Sequence, residues 1–366
     1  MKCNILCKFA SEKRDMKGII TPYRIQKLHK LAAEADRITV VTHTRPDGDA
    51  VGSSIATARF IGEMYGRDVA VVIADAYSKS LDFILDEKDR ACLFQYDTQP
   101  AEAAERILGS DLIICLDCNG IDRTGTLKDI LGRSSAPRIL IDHHLNPHEE
   151  EFCLVFSETE ISSASELAYW ILLAMPEVDG DTSLIPMHCL RALMAGMTTD
   201  TNNFANSVFP STLEMASRLL EAGVDRDGII AELYNRYREN RLRMMGFALK
   251  DKMTILPEGT AYIILTASEL ERFDIEEGEL EGLVNIPLGI DEVKMSILLK
   301  EDDGFFRVSV RSKKGISANS FATRFFNGGG HEQAAGGRLY FPGDISVSSD
   351  AEDYVRKVTG LFFTEK

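Results

Sequence analysis

The chain has 366 residues, 45% hydrophobic and 27% charged, with a formal net charge of -16. That balance describes a soluble globular protein of about two ordinary domains and excludes a fibrous or disordered chain. The acidic excess excludes broad, sequence-independent clamping of long nucleic acid, which depends on Lys and Arg neutralising phosphates, but it leaves room for a small anionic substrate.

The N-terminus, MKCNILCKFASEKRD, carries a brief apolar stretch broken by Lys8 and does not read as a secretory signal. These fifteen residues read as a loose extension or a mis-assigned start, with Met16 the alternative. Thr21 to Asp36 then follows an amphipathic helical pattern, with Thr21 as N-cap and Pro22 at the first position. Strand patterns recur at Ile38 to Thr42, Val69 to Ala74, Asp111 to Leu116 and Arg138 to Ile141, separated by helical patterns such as Ala50 to Tyr65 and Ala101 to Leu108. This alternation predicts an α/β fold with a mostly parallel sheet and helices on both faces. The longest apolar runs fall far short of the roughly 20 residues that span a bilayer, so no membrane partner is expected.

Seven scattered cysteines and no sign of export fit reduced thiols in a cytoplasm. Cys115 and Cys118 form a CxxC, but no second pair has zinc-ribbon spacing, and strand alternation would point the two sulfurs to opposite faces. They read as buried structural residues.

The ends of the strand patterns carry the chemistry. The first leads into HTRPDGD, with His43, Asp47 and Asp49; Asp117 follows the third, and Asp142, His143 and His144 follow the fourth. A helical pattern from Leu184 to Met197 ends in TTDT and adds Asp200. In a parallel sheet the C-terminal strand ends share one edge, so separate segments converge on one crevice. Singly these residues have plainer readings: Asp47 and Gly48 as a turn, Asp142 as a helix cap, a histidine as an ordinary core or surface residue. Together, converging carboxylates repel one another and require a compensating charge, which a divalent metal supplies. Carboxylates with imidazoles and no thiolate suit Mn2+ better than Ca2+ or structural Zn2+, with Fe2+, Co2+ and Mg2+ still compatible. The ligand count exceeds the need of one open metal site and predicts two ions.

HTRPDGD, the aspartate after LIICLD, the Asp142-His143-His144 triplet and TTDT resemble the four motifs of the DHH phosphoesterases. The resemblance runs over nearly the whole chain from about Thr21. It implies a di-manganese phosphoesterase with metal ligands His43, Asp47, Asp49, Asp117, His143 and Asp200, Asp117 bridging the ions. Asp142 and His144 then orient neighbouring ligands or move protons, which makes Asp117, Asp142 and His144 the catalytic candidates.

Beyond Asp200, helical patterns cover Ser211 to Ala222, stopped by Gly223, and about Asp227 to Met253, read as a connector whose arginines form a solvated face. Residues 268–282 hold seven carboxylates and one arginine and read as exposed surface. Strand patterns at Ala261 to Thr266, Glu292 to Leu299 and Phe305 to Arg311 predict a smaller mixed α/β domain. The expected division is 16–245 for the metal-binding domain and 255–366 for the substrate-binding domain.

From Phe305 to Tyr340 there are six Lys or Arg and one acid, Glu332. Alternation places Arg307, Ser309 and Arg311 on one face and Phe306, Val308 and Val310 on the other. After a helical pattern from Ser317 to Phe326 comes GGGHEQAAGG, whose glycines would let backbone N–H groups approach an anion, helped by any helix starting there; a helix stop and flexible turn is the equal alternative. Phe321, Phe325 and Phe326 read as core.

Gly328, Gly329, Gly330, His331, Ala334, Ala335 and Gly336 resemble the glycine run, histidine and AAG of the DHH-associated substrate domain, with Asn327 at a position that is often a fourth glycine. This implies substrate-phosphate binding by Arg311, Gly329, Gly330 and His331. Length and motif order are most similar to the bifunctional oligoribonuclease and 3',5'-bisphosphate nucleotide phosphatase group. The expected partners are short RNA oligonucleotides, of roughly two to five residues given the scarcity of basic charge, and small nucleotides. A homodimer is compatible with these features. Cyclic dinucleotide hydrolysis, a RecJ-like exonuclease and a non-catalytic nucleotide-binding regulator are the alternatives.

Overall fold

Strands β1 (Arg37–Val41), β2 (Asp68–Ile73), β3 (Leu93–Gln95), β4 (Leu112–Leu116), β5 (Arg138–Asp142) and β6 (Leu154–Ser157) form one sheet in the order β3-β2-β1-β4-β5-β6, every pair parallel. The computed structural model describes residues 18–364, so the expectations for the first fifteen residues and Met16 lie outside the described residues. The order reverses between β1 and β4, and a doubly wound sheet opens its ligand crevice at such a switch point.

Alternation along the strands feeds two apolar layers. Ile38, Val40, Leu112, Ile114 and Leu116 pack with helices α1 (Pro22–Glu34), α2 (Gly48–Tyr65), α4 (Ala164–Leu173) and α5 (Met187–Asp200). Val41, Ile113, Cys115 and Leu140 pack on the other face with Ala103 and Ile107 of α3 (Pro100–Leu108). The predicted parallel sheet with helices on both faces is therefore present. Thr21 caps α1 as expected, its hydroxyl accepting the Arg24 amide at 3.2 Å, a contact worth about 1 kcal/mol.

Two features of this sheet differ from the sequence reading. Cys115 and Cys118 share one apolar layer, because Asp117 between them adopts a left-handed φ of 54° and ends the strand alternation. Helix α4 has no counterpart among the predicted elements: it is buried along its whole length, so it lacks the polar stripe that marks a surface helix. Helices α2 and α5 pack closely enough that a Cβ on Gly52 would lie 2.5 Å from the Ala192 carbonyl oxygen. Glycine at that position lets the two helices, which carry Asp49 and Asp200, approach.

Helices α6 (Pro210–Glu221) and α7 (Arg226–Tyr234) complete this unit, which extends to Arg236. The helical pattern predicted from Asp227 to Met253 is divided: α7 ends at Tyr234, and α8 (Glu239–Phe247) begins only after Arg238 in extended backbone.

The second unit starts at Tyr237. Its mixed sheet has the order β11-β12-β10-β9-β8-β7, with β7 (Thr254–Ile255), β8 (Thr260–Leu265), β9 (Met295–Asp302), β10 (Phe305–Ser312), β11 (Gly329–Gly330) and β12 (Ala334–Tyr340). Only β8 and β9 run parallel. Helices α9 (Ala318–Phe325) and α10 (Ala351–Thr364) cover one face around Phe321, Phe326 and Val355, while α8 contributes Met244 to the layer on Ile263 and Leu298. Burying a side chain such as Phe321 contributes about 1.5–3 kcal/mol.

The arginines and acids of this unit are not simply solvated. Arg238 pairs with Asp274, Glu276 and Glu279, and the Arg241 guanidinium donates to the Glu281 carbonyl, so the acidic segment folds back against α8.

Candidate metal centre

His43 stands just past β1, Asp117 directly after β4, and Asp142 closes β5, so the strand ends at the switch point deliver three segments with candidate ligands to one place. The amide of Asp117 donates to the Ile141 carbonyl at 3.0 Å and ties two of these ends together. Its left-handed φ costs on the order of 1 kcal/mol or more, and such strain collects at functional sites.

Asp47, whose plainer reading is a turn, caps a helix: its carboxylate accepts the amides of Asp49 and Ala50 at 3.0 and 3.1 Å at the start of α2. The same oxygen lies 3.9 Å from Nε2 of His43, so capping and site membership coexist. His43 Nδ1 is 2.9 Å from the Thr44 carbonyl, which can only accept, so Nδ1 carries the proton and Nε2 faces Asp117 at 3.4 Å. His143 Nε2 lies 3.4 Å from Asp117 and 3.6 Å from Asp200, the last residue of α5. Asp142 directs both oxygens at His144, accepting its amide at 3.1 Å and facing its Nδ1 at 2.8 Å.

Three overlapping triads result: His43, Asp47 and Asp117; Asp117, His143 and His144; and Asp49, His143 and Asp200, with the candidate ligand atoms in each within 4.8 Å of one another. Asp117 belongs to two of them. Its buried Oδ1 faces imidazole nitrogens of His143 and His144 at 3.4 and 3.5 Å, too long for well-formed hydrogen bonds. A buried carboxylate oxygen held only by such long contacts is costly, and it fits a cation at this point.

The electrostatics agree. Burial pushes the Asp49 carboxyl up to about 7, with the Asp117 charge adding to the effect, and burial together with the Asp49 charge raises Asp200. Burial opposes charging of His43, but Asp117 and Asp47 outweigh it and lift its pKa to about 9; the same competition, won by Asp117, Asp200 and Asp49, lifts His143 to about 10. Asp117 is held well below the usual carboxylate range despite burial, because His143 and His43 flank it. Without metal, protons on the imidazoles and on acids partly offset the crowded negative charge. Divalent cations in their place match the donor set of carboxylates and imidazoles.

Sequence reasoning missed the support behind Asp49. The amides of Ala164 and Ser165, at the start of α4, donate to its Oδ2 and Oδ1 at 2.7 and 2.8 Å. The available signal was Ser163 followed three residues later by Glu166 ahead of an apolar run, a helix-start signature.

The remaining predicted residues lie in the second unit. Alternating burial along β10 places Arg307, Ser309 and Arg311 on one face. Arg307 pairs with Glu277 and Asp302, whereas the Arg311 guanidinium donates to the carbonyls of Val310 and Ala335 at 3.0 and 3.4 Å. The glycine run does not start a helix. Gly329 and Gly330 pair with Gly336 and Ala335, and the chain turns back at exposed His331, whose amide donates to the Ala334 carbonyl at 2.8 Å. A Cβ on Gly328 would fall 1.9 Å from the Gly336 oxygen, so glycine here serves close backbone packing.

Comparison with known proteins adds independent findings. Residues 37–197 match the DHH family, N-terminal domain, and residues 259–354 match the DHHA1 domain. The crystal structure of an exopolyphosphatase-related protein from Bacteroides fragilis superposes with a TM-score of 0.85 and 35% identity, covering 94% of this chain and 97% of that one. The bifunctional oligoribonuclease and PAP phosphatase NrnA of Bacillus subtilis is 28% identical over 83% of this chain and 90% of its own length. The cyclic-di-AMP phosphodiesterase GdpP of Geobacillus thermodenitrificans is 26% identical over 92% of this chain but 49% of its own length.

Proposed function

Because the chain belongs to the DHH family, we propose that it is a phosphoesterase that hydrolyses short oligoribonucleotides to mononucleotides and 3'-phosphoadenosine 5'-phosphate to AMP. The observation that carries this reading is the convergence of four carboxylates and three imidazoles on one point, with the buried Oδ1 of Asp117 meeting His143 and His144 only at 3.4 and 3.5 Å.

His43, Asp47, Asp49, Asp117, His143 and Asp200 are the residues that would hold two divalent ions, Mn2+ by the chemistry of the donors, Asp117 belonging to two of the three triads. When bound, such a pair lowers the pKa of a coordinated water and neutralises charge developing on a phosphoryl group. Asp142 holds His144 in one orientation through its Nδ1, so Nε2 is the atom proposed to exchange a proton with the reacting oxygens. Arg311, with its guanidinium fixed by two carbonyls, and His331 with Gly329 and Gly330 are proposed to hold a substrate phosphate. The assignment of 16–245 to metal chemistry and 255–366 to phosphate recognition is part of the proposal, as is a cytoplasmic location. Among the described residues no helix is long and apolar enough to cross a membrane.

Cyclic di-AMP is the second candidate substrate, favoured by the similarity to GdpP over 92% of this chain. One panel separates the readings: pApA, longer RNA, 3'-phosphoadenosine 5'-phosphate, cyclic di-AMP and single-stranded DNA, each with Mn2+. Preferred turnover of pApA and 3'-phosphoadenosine 5'-phosphate is expected. Preference for cyclic di-AMP selects the second reading, and turnover of none of them overturns both.

A further inference from the structure

Asp49 is fully buried on α2, and its carboxylate is gripped by a different helix: Ala164 N–H donates to Oδ2 and Ser165 N–H to Oδ1. These are the first two residues of α4, whose N-cap Ser163 accepts the Glu166 amide at 3.0 Å, so neither gripping amide has an intrahelical partner to lose. The grip leaves little slack. Ser165 Oγ is buried beside Asp49, and a Cβ on Gly196 of α5 would fall 2.1 Å from it and 3.1 Å from Asp49 Oδ1.

The turn that presents these amides is itself fixed from behind. Glu166 is fully buried, and its Oε2 accepts the Ser162 amide at 3.1 Å, the Ser162 hydroxyl at 2.5 Å and the Thr212 hydroxyl of α6 at 2.7 Å. Trp170 Nε1 donates to the other oxygen, Oε1, at 3.2 Å. Four donors on one buried carboxylate hold residues 162–165 against both α4 and α6.

We propose that the first turn of α4 is an orienting clamp for Asp49, in which Ala164 and Ser165 are positioning residues and Glu166 locks the turn that carries them. Resting on the reading of Asp49 as a metal ligand, this assigns to the clamp the preorganisation of that carboxylate: two lone pairs are taken by the helix, which fixes the direction of those that remain. Charge-assisted hydrogen bonds to a buried carboxylate are the strong kind, and the positive end of α4 favours the ionised form. Partners that orient metal ligands in this way typically control metal affinity by about tenfold to a hundredfold.

Proline can delete one clamp bond selectively. Ala164 is the first residue of α4, where proline is well accommodated, and Ser163 before it has extended backbone at φ -166° and ψ 162°. Calorimetric titration with Mn2+ is expected to show affinity lowered about 10- to 100-fold in Ala164→Pro. Glu166→Gln, one step further away, is expected to lose about threefold to tenfold. Hydrolysis by both should recover at saturating Mn2+, which a general loss of folded protein would not allow. Wild-type affinity in folded Ala164→Pro overturns the clamp.

A second measurement decides the matter if Ala164→Pro does not fold. In metal-free protein, the amide protons of residues 164 and 165 should exchange faster in Asp49→Ala than in wild type and be unaffected by Asp200→Ala. Unchanged exchange in Asp49→Ala overturns the proposal. Because this readout needs no metal, failure of the wild type to bind Mn2+ would sink the metal-centre reading while leaving the clamp to be judged by exchange alone.

Discussion

In the N-terminal unit the buried Asp49 and Asp117 crowd against the half-buried Asp200 with too little positive charge, whereas on β10 of the C-terminal unit Arg307 already has Glu277 and Asp302 as partners. Both regions are rich in charged residues. They differ in whether the protein satisfies those charges itself. A paired charge at the surface is worth little and asks for nothing more, while buried like charges demand a cation from outside. Arg311 stands between these cases: burial lowers its pKa, and its guanidinium donates to carbonyls rather than to a carboxylate.

The sharpest way to break this contrast is Asp117→Ala. A folded variant is expected to lose pApA hydrolysis by more than ~100-fold, the upper end for groups that only orient ligands. Activity near wild type, measured alongside a melting curve, would remove the metal centre from the account. Arg311→Ala comes next. Loss of a charge-assisted phosphate contact of about 1.5–3 kcal/mol should raise KM roughly tenfold or more with a smaller change in kcat; an unchanged KM would place phosphate recognition elsewhere.

The third test uses protons. A metal takes the neutral imidazole, and His43 and His143 have pKa values raised to about 9 and 10 without metal, so both are protonated at a pH of about 7.5. Raising the pH toward 9 weakens that competition, and Mn2+ affinity should therefore climb, by up to about tenfold per pH unit for each proton released. Calorimetry in two buffers of different ionisation enthalpy checks this, since equal heats would mean no proton release. The smallest effect is expected for Arg307→Ala: KM should change less than about threefold, in keeping with a half-buried charge that already has its partners. A loss matching that of Arg311→Ala would erase the distinction between them.

Much of the candidate metal centre is legible in the sequence because several of its residues sit at strand ends, where periodicity stops and polar residues begin. His43, Asp117 and the Asp142-His143-His144 triplet each follow an apolar run, and parallel pairing does the rest. What escaped were features that periodicity cannot carry. Helix α4 is apolar on every side, so only its Ser163 and Glu166 marked it. The break after Tyr234 depends on Arg238 reaching carboxylates some forty residues away, which no local pattern records. The CxxC failed as an alternation argument because a single left-handed residue, Asp117, reversed the direction of the chain. The glycine run was right as a place of close approach and wrong as the possible start of a helix, since its backbone pairs with β12.

The strand order β3-β2-β1-β4-β5-β6 also bears on how the protein would acquire the proposed ions during synthesis. The proposed ligands run from the end of β1 to the end of α5, and β1 pairs with β4 across the intervening β2 and β3. Such non-local pairing forms late, after loop-closure entropy has been overcome. A ribosome must therefore release most of the unit before the ion can find its complete ligand set, and Mn2+ binding in a refolding experiment should report the last stage of assembly rather than the first.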